Sequence, residues 1–418
     1  MLIDDSTATR RLPKVRANQA LRVAPPLLYT LMVFVLFRTA VMLPAANPGT
    51  DFTPIWTAAK KYLAGEPVFN SDYTIDMPHY LYSPAGTVLI SPVGLFPNEA
   101  MARVAMAYLG AACVIGAIAI ATRMVAPRWF HVIFPVAVSI FFITPEPVRT
   151  TLVLTNINGF LLLLLVLFVW LSLRLREQGV GWRGHFNRPE AWIAGVIAGV
   201  AVSIKPQFGM LFIVSLAYAQ VAVVVIAALV AAATFVFGWF TIAEPELFFT
   251  NLVPYLSEPR PRFNGSIAGL GIVLEWPDAL VTALTILMVA GTLAAIVAMW
   301  RWKDTDPVMF SFTAIAVCFA GGFMASGFMQ FYYAIWFIPF ALTVCWPRSP
   351  MHWPVTTLAL LFTVANPSWP ATGIATIDKM LPHMPAFMFM ALPFIVTAWG
   401  LAGRSSALET QKRPAHSR

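Results

Sequence analysis

Charged residues are scarce in this sequence of 418 residues, and that scarcity decides its class. Asp, Glu, Lys and Arg make up 11% of the chain and hydrophobic residues 59%, whereas an ordinary soluble domain is about 25% charged. Cysteine is also rare: Cys113, Cys318 and Cys345 lie in apolar runs without paired or metal-ligand spacing, so neither a disulfide nor a metal site is predicted. These scarcities exclude a water-soluble domain and a disulfide-stabilised scaffold.

Long apolar runs fill the sequence instead. Stretches such as LLLLLVLFVWLSL and VAVVVIAALVAAATFVFGWF are long enough to cross a hydrocarbon core of about 30 Å as helices. We predict an all-α polytopic membrane protein with about 12 transmembrane helices. The predicted spans are 26–46, 100–122, 130–144, 150–172, 190–205, 207–219, 221–243, 279–300, 307–325, 330–346, 352–366 and 385–402.

Basic residues predict how the chain is oriented. They cluster in the N-terminal tail, in the loop RLREQGVGWRGHFNR, in the RWKD turn and in the C-terminal tail. The positive-inside rule places all four segments in the cytoplasm, and twelve crossings of the plasma membrane satisfy it. The net charge of +8 therefore reports topology, and no nucleic acid is expected as a partner. We predict one transmembrane domain over 1–402, with a cytoplasmic N-terminal tail at 1–25 and a second basic cytoplasmic tail at 403–418.

One apolar segment does not fit this count of spans. PAGTVLISPVGLFP, residues 84–97, is short and bounded by prolines. As a full span it would move the basic loop at 174–188 to the outer side. We therefore predict that it is re-entrant or interfacial, which requires that protein or water satisfies its backbone polar groups.

Polar side chains from well-separated segments collect on the predicted outer side. The loop at 47–83 contributes Asp51, and Arg38 lies inside the first predicted helix. The other segments are TPEPVRTTLVLTNING, SIKPQFG, YLSEPRPRFNGSIAGLG and ASGFMQFYYAIW. They contribute Glu146, Arg149, Asn156, Asn158, Lys205, Gln207, Arg260, Arg262, Asn264, Ser266, Ser326, Gln330, Tyr332 and Tyr333.

Structural roles are possible for each of these residues taken alone. The amides could join helices through hydrogen bonds, Lys205 could extend to the headgroups, and the tyrosines could form an interfacial belt. The loop arginines could simply be solvated, and Arg38 could form a structural ion pair. Their common location on one side nevertheless favours a functional site.

The residue types in this set suit sugar and phosphate chemistry. Amides, aromatic rings and a carboxylate suit a sugar, and cations suit a phosphate. An outward-facing sugar transferase has no nucleotide supply, so its donor must come from the lipid. It needs a base for the acceptor hydroxyl and cations for the departing phosphate. We predict Asp51 as the general base, and the donor phosphate is assigned to Lys205, Arg260, Arg262 and Arg38.

Two alternatives remain open for the acid. Asp51 could act only as the N-cap of a short amphipathic helix, TDFTPIWTAAKKYLAG. Asp72 and Asp76, later in the same loop, are rival bases. A lipid or sugar transporter is an alternative of another class, although transporters often show internal repeats and midplane ionisable residues, and this chain has no evident repeat.

Several short motifs resemble those of the GT-C superfamily of polyprenyl-phosphate-dependent glycosyltransferases, within it the family of actinobacterial mannosyl- and arabinofuranosyltransferases. An acid follows the first helix on the outer side. The G-Q-x-N motif of the family corresponds to TNIN, and its K-P motif to Lys205-Pro206. N-Q-S corresponds to NGS, and S-P…H-Y to SGFMQFYY, with Tyr332 where His is usual.

The resemblance implies a GT-C fold. One carboxylate is enough for a single attack by the acceptor with inversion, so an inverting mechanism is predicted, and no cofactor is expected. The combination of DFTPIW with PHYLYSPAGTVLISPVGLFP is most similar to the arabinofuranosyltransferases that form α-1,3 branches. It implies decaprenyl-phosphoryl-arabinose as donor and an arabinan of arabinogalactan or lipoarabinomannan as acceptor, and a polyprenyl-phosphomannose-dependent mannosyltransferase is the alternative. The residues expected to contact sugar or acceptor are His79, Tyr80, Tyr82, Asn156, Asn158, Asn264, Ser266, Gln330, Tyr332 and Tyr333.

Overall fold

Helices provide all the regular structure in the part of the chain that the computed structural model describes, residues 14–47, 49–75, 77–261, 264–366 and 369–412. Seven of them are long and apolar enough to cross a membrane, which confirms a polytopic, all-helical membrane protein. These seven helices are Ala24–Ala45, Glu99–Val125, Asn158–Glu177, Val221–Thr241, Asp278–Met299, Pro307–Ala325 and Ala375–Gly403.

The other five predicted spans also coincide with helices, but these are shorter. Pro127–Ile143 is followed after a sharp bend by Glu146–Leu154, and the pair together has the length and composition of one span. The count is therefore seven or eight, and twelve crossings stay a prediction. The remaining four short apolar helices are Pro189–Ile204, Pro206–Ala217, Phe331–Cys345 and Pro354–Ala365.

The Asn158–Glu177 helix connects two opposite ends of the molecule. It begins beside Asn156, whose side-chain amide lies 3.5 Å from Asp51 Oδ2. It ends near Arg176, whose guanidinium donates to the backbone carbonyl of Asp304 at 3.2 Å. We call these the Asp51 end and the basic end.

Contacts between helix termini define the basic end. The Tyr218 hydroxyl donates to the Pro307 carbonyl at 3.3 Å, and the Trp346 indole donates to Asp306 at 3.3 Å. That this end faces the cytoplasm stays a prediction, because it depends on the positive-inside rule. The basic side chains at the helix termini and turns of this end include Arg123, Arg174, Arg176, Arg183, Arg301, Lys303 and Arg348.

The segment at 84–97 forms a short helix, Pro84–Ile90, which continues as a tight turn over Ser91–Leu95. It packs against the Val221–Thr241 helix, where a Cβ at Gly238 would lie 2.5 Å from the Pro84 carbonyl oxygen. Its first four residues are buried in protein. A re-entrant or interfacial position in the membrane stays a prediction.

The loop after Asp51 is folded and has a small core of its own. It begins with the Phe52–Ala64 helix. Val68, Phe69 and Tyr80 are buried with Leu252 from the loop before the NGS motif. The loop therefore forms a packed cap over the Asp51 end. Short helices complete the described chain: Val253–Ser257, Ile267–Val273, Trp302–Thr305 and Ala375–Met380.

Candidate active site

The backbone that leads to Asp51 is held by Arg103. Its guanidinium donates to the carbonyls of Pro44 and Asn47, at 2.7 Å each. Gly49 follows with φ +68°, and a Cβ there would lie 2.6 Å from Arg103 Cδ. Only glycine combines that backbone conformation with so close an approach. The position of Asp51 is thus fixed from the preceding side.

The Asp51 carboxylate does not cap its own helix. The residue stands at the N-cap position of Phe52–Ala64, but its side chain makes no capping hydrogen bond. Asp51 Oδ2 instead accepts from the Tyr332 hydroxyl at 3.1 Å and, more weakly, from Asn156 Nδ2 at 3.5 Å. The alternative that Asp51 serves only as a cap is therefore wrong.

Burial raises the pKa of Asp51 above its ordinary value of 3.8. The hydrogen bonds from Tyr332 and Asn156 and the positive charge of Lys205 act in the opposite direction, because each of them stabilises the ionised form. The carboxylate is thus more basic than an exposed aspartate, and it is surrounded by groups that favour its charge. This combination suits a proton acceptor.

Asn156 is aimed at Asp51 by the turn that precedes it. Thr155 has φ +54°, a left-handed conformation that is uncommon for a β-branched residue, and it ends the Thr150–Leu154 helix. Asn156 Oδ1 accepts from the Asn158 backbone amide at 3.2 Å, which leaves its NH₂ group for the carboxylate. Asn158 itself is buried, and its side-chain nitrogen and oxygen have no hydrogen-bond partner in the described chain.

Lys205 lies at the tip of a hairpin between Pro189–Ile204 and Pro206–Ala217. Its Nζ is 4.2 Å from the ring centroid of Tyr333 and 5.1 Å from that of Trp336, so it is held by cation–π contacts. Its ammonium forms no ion pair within 4.0 Å with any acid of the described residues. It is therefore placed to receive an anion.

The turn Phe331–Phe337 brings the acid and the cation together. Its successive tyrosines have different partners: Tyr332 binds Asp51, and the Tyr333 ring supports Lys205. Tyr82 approaches the same region, because its side chain interacts electrostatically with Asp51 and Tyr333. Asp51, Lys205 and the two tyrosines are far apart in sequence, so only the folded chain brings them together.

The residues around Tyr82 are tied to the Lys205 hairpin. Ser83 caps the Pro84–Ile90 helix, and its hydroxyl donates to the Ser203 carbonyl at 3.0 Å. Tyr80 is buried and donates to Thr87 Oγ1 at 3.0 Å. Tyr80 therefore supports the segment, while half-buried Tyr82 lies close to Asp51. We call the group formed by Asp51, Tyr82, Asn156, Lys205, Tyr332 and Tyr333 the Asp51 cluster.

A second cluster of aromatic rings and a cation lies in the cap. The His79 ring is 4.9 Å from Tyr73 and 5.1 Å from Tyr255, between centroids. The Arg260 guanidinium lies 3.6 Å above Tyr255 and 5.1 Å from Phe328. Its Nε and Nη2 are buried without a hydrogen-bond partner among the described residues. We call this the aromatic–arginine cluster.

Sequence reasoning identified only part of this cluster. His79 and Arg260 were predicted site residues, but Tyr73, Tyr255 and Phe328 were not. Tyr73 and Phe328 lie in loops and Tyr255 in a five-residue helix, where hydrophobic periodicity gives no signal. The one available indication in the sequence was that Tyr255 lies close to Arg260, a predicted site cation.

Asn264 and Ser266 are occupied by bonds to the backbone. Asn264 Nδ2 donates to the Gly327 carbonyl at 2.8 Å, and its Oδ1 accepts from the amides of Ser266 and Met329 at 3.0 and 2.9 Å. Ser266 caps the Ile267–Val273 helix. Asn264 thus positions the turn before Tyr332, Ser266 starts its own helix, and a direct contact of either side chain with sugar stays a prediction.

The structure does not bring the remaining predicted residues into the Asp51 cluster. Arg38 is exposed on a short π-helical segment, Phe37–Met42. It forms no hydrogen bond or ion pair with a described residue. Gln330 precedes the Phe331–Phe337 turn with its side chain half-buried. Arg262 lies outside the described residues.

The rival acids of the loop differ from Asp51 in their surroundings. Asp72 is exposed, and both the hydroxyl and the backbone amide of Thr74 bind its carboxylate, at 2.6 and 2.9 Å. The Thr74 hydroxyl chiefly accounts for a lowered pKa of Asp72, which makes it a poor base. Asp76 lies outside the described residues.

Glu146 is a buried acid that the sequence had not singled out as a base. Its Oε2 has no hydrogen-bond partner in the described chain, while Thr150 and Asn366 bind the carboxylate. The turn at 145–149 that contains it packs against the Phe331–Phe337 turn. Glu146 therefore replaces Asp72 as the strongest rival to Asp51.

Comparisons with known proteins agree with a sugar-transfer site. The model of glycosyltransferase family 87 matches residues 80–327. An alpha-(1->3)-arabinofuranosyltransferase of Mycobacterium tuberculosis is 32% identical over 323 residues, 77% of this chain and 71% of that protein. An enzyme of the same name from Corynebacterium glutamicum is 27% identical over 375 residues, 90% and 85% of the two chains. No solved structure matches the chain.

The site thus places a half-buried acid beside an aromatic-held lysine in a polytopic helical protein. The family model covers more than half of the chain, and the relatives cover most of it. The chain therefore belongs to glycosyltransferase family 87, and it is a glycosyltransferase. Asp51 precedes the stretch that the family model matches, so its role depends on the geometry.

Proposed function

We propose that this chain is an inverting arabinofuranosyltransferase in which Asp51 is the general base. The donor is decaprenyl-phosphoryl-arabinose and the acceptor is a cell-wall arabinan, extended through an α-1,3 bond. The names of the relatives support the sugar and the linkage. The single observation that supports the base is the half-buried Asp51 carboxylate, bound by Tyr332 and not used to cap its helix.

The proposed reaction is one displacement. The acceptor hydroxyl attacks the anomeric carbon while its proton passes to the Asp51 carboxylate. The bond from the anomeric carbon to the phosphate oxygen breaks, and its electron pair leaves with decaprenyl phosphate. A single base is enough because no covalent enzyme intermediate forms, and the anomeric configuration inverts.

Cations are needed where the negative charge of the leaving group grows. Lys205 meets this need, because Tyr333 and Trp336 hold its ammonium and no acid of the described chain pairs with it within 4.0 Å. Arg260 has unpaired donors in the cap and is the second candidate. A guanidinium favours bidentate contacts with phosphate, whereas an ammonium acts as a point charge.

The aromatic–arginine cluster is the proposed surface for the acceptor. Tyr73, His79 and Tyr255 present rings within the cap that closes over the Asp51 end. On this proposal the lipid donor enters from the bilayer, the arabinan approaches through the cap, and the site lies on the extracytoplasmic side. The basic end then faces the cytoplasm, in agreement with the positive-inside rule.

A two-donor assay tests the proposal. Purified protein is incubated with an arabinan acceptor and with either decaprenyl-phosphoryl-arabinose or a polyprenyl-phosphomannose. We expect transfer from the arabinose donor only, with an α-1,3 bond detected by NMR of the product. Transfer of mannose alone would make the chain a mannosyltransferase. Movement of the intact lipid-linked sugar across vesicles, without transfer, would identify a transporter.

The substitution Asp51→Asn tests the base. It keeps the size of the side chain and much of its hydrogen bonding but cannot accept a proton, so kcat should fall by about 10²–10⁴-fold. Asp72→Asn is the matched control, because that acid lies exposed in the same loop, and it should retain normal turnover. If Asp51→Asn keeps more than about a tenth of the wild-type kcat, Asp51 is not the base and Glu146 becomes the candidate.

The substitution Tyr332→Phe should change the pH profile of kcat/KM. Activity requires ionised Asp51, so it is lost as pH falls through the pKa of Asp51. The Tyr332 hydroxyl stabilises the ionised form, and without it that pKa rises. The acid limb should therefore move to higher pH. Tyr62→Phe is the control, because it removes a hydroxyl that binds Thr241 at 3.0 Å, away from Asp51. It should leave the acid limb of the pH profile in place. An equal shift in both variants would contradict the assignment of that limb to Asp51.

The substitutions Lys205→Met and Arg260→Gln test the phosphate contacts. Loss of a charge-assisted contact worth about 1.5–4 kcal/mol should raise the donor KM or lower kcat by about one to three powers of ten. Lys60→Met, at an exposed position of the cap helix, is the control. If both variants show normal donor kinetics, Lys205 and Arg260 do not bind the donor phosphate and have only a structural role.

A further inference from the structure

The basic end contains a cavity that the proposed reaction does not use. Its volume is about 700 Å³. It lies between the Trp302–Thr305 helix, the turn at 347–353 and residues 399–403 of the C-terminal helix. The helices that separate it from Asp51 run the length of the molecule, so it cannot be part of the Asp51 cluster.

The lining of this cavity is cationic and aromatic. Two arginines, one histidine and three tryptophans contribute, and no carboxylate lines it among the described residues. Arg348 is exposed, and it forms no hydrogen bond or ion pair with the described chain. The Arg301 guanidinium lies 4.3 Å above the Trp302 ring. A bound anion would thus meet the positive charge of Arg348, which no described acid offsets, with Arg301 beside it.

The walls of the cavity are fixed by packing. The Trp302 and Trp399 rings stack with centroids 4.3 Å apart. A Cβ at Gly403 would lie 2.8 Å from Arg301 Nη2, so the absence of a side chain there lets the guanidinium lie against the C-terminal helix. On the other side, Ser349 anchors its turn by accepting from the Met351 amide at 3.0 Å.

An apolar surface begins next to the cavity. Val355 and Leu358, on the Pro354–Ala365 helix, are 49% and 53% exposed, and Leu401 on the C-terminal helix is 50% exposed. These two helices pack against each other. A ligand with a phosphate at the arginines could therefore place acyl chains along this surface, whereas a free phosphate would have no use for it.

We propose that this cavity binds the headgroup of an anionic phospholipid, with its phosphate between Arg301 and Arg348 and its acyl chains against the adjoining helices. Basic pockets between transmembrane helices on the cytoplasmic side suit such headgroups, and tryptophan suits the headgroup level of a bilayer. The proposal does not depend on the sugar, the donor or the role of Asp51.

Lipid binding to the purified full chain tests the proposal. Delipidated protein is titrated with phosphatidylglycerol or phosphatidylcholine and followed by native mass spectrometry. We expect preference for phosphatidylglycerol, weakened about fivefold by Arg348→Gln and again by Arg301→Gln. Arg183→Gln is the matched control, because Arg183 lies over Trp182 at 5.0 Å outside the cavity, and it should bind as the wild type does.

Three results would overturn the proposal. They are equal binding of the two lipids, unchanged binding in the double variant, and equal competition by soluble glycerol phosphate, which would show that the acyl chains contribute nothing. Arg348 is exposed, so Arg348→Gln should keep the thermal unfolding temperature of the wild type. That variant remains informative even if Arg301→Gln fails to fold.

Discussion

The charge of the half-buried Asp51 side chain is the constraint on which the rest of the Asp51 end depends. A carboxylate removed from water costs several kcal/mol unless hydrogen bonds and opposite charge compensate for it. Its two hydrogen-bond partners, Asn156 and Tyr332, are 105 and 281 positions away in sequence. The carboxylate is therefore satisfied only when the loop, the TNIN turn and the late tyrosine turn have all met.

The residues that hold Asp51, Asn156 and Tyr332 in position explain why a site made of turns can be rigid. Arg103 fixes the chain before Asp51, the left-handed Thr155 aims Asn156, and two hydrogen bonds of Asn264 hold the segment before Tyr332. None of these supporting residues needs to touch substrate. Catalysis requires reacting groups held within a fraction of an ångström, and here buried polar side chains that bind backbone groups provide that precision.

Much of the helical architecture could be predicted from the sequence, because apolar runs bounded by prolines and charges determine where helices begin and end. Each predicted span coincides with a helix. The number of crossings could not be predicted, since composition does not show that a helix such as Phe331–Cys345 is short. In the site, Asp51, Lys205 and Tyr332 were predictable as out-of-place polar groups. The bonds that occupy Asn264, and the approach of Tyr255 to Arg260, depend on tertiary contacts that no local pattern records.

The closeness of Lys205 to Asp51 has a consequence for the proposed reaction. In the free enzyme the ammonium stabilises the ionised carboxylate, which partly offsets the rise in the pKa of Asp51 that burial causes. A donor phosphodiester bound at Lys205 would bring one negative charge that offsets the charge of the ammonium. Protonation of the carboxylate is then favoured, so Asp51 becomes a stronger base when the donor is in place. The same pair of charges would then couple donor binding to proton transfer, and an acceptor hydroxyl that arrives without donor would meet a weaker base.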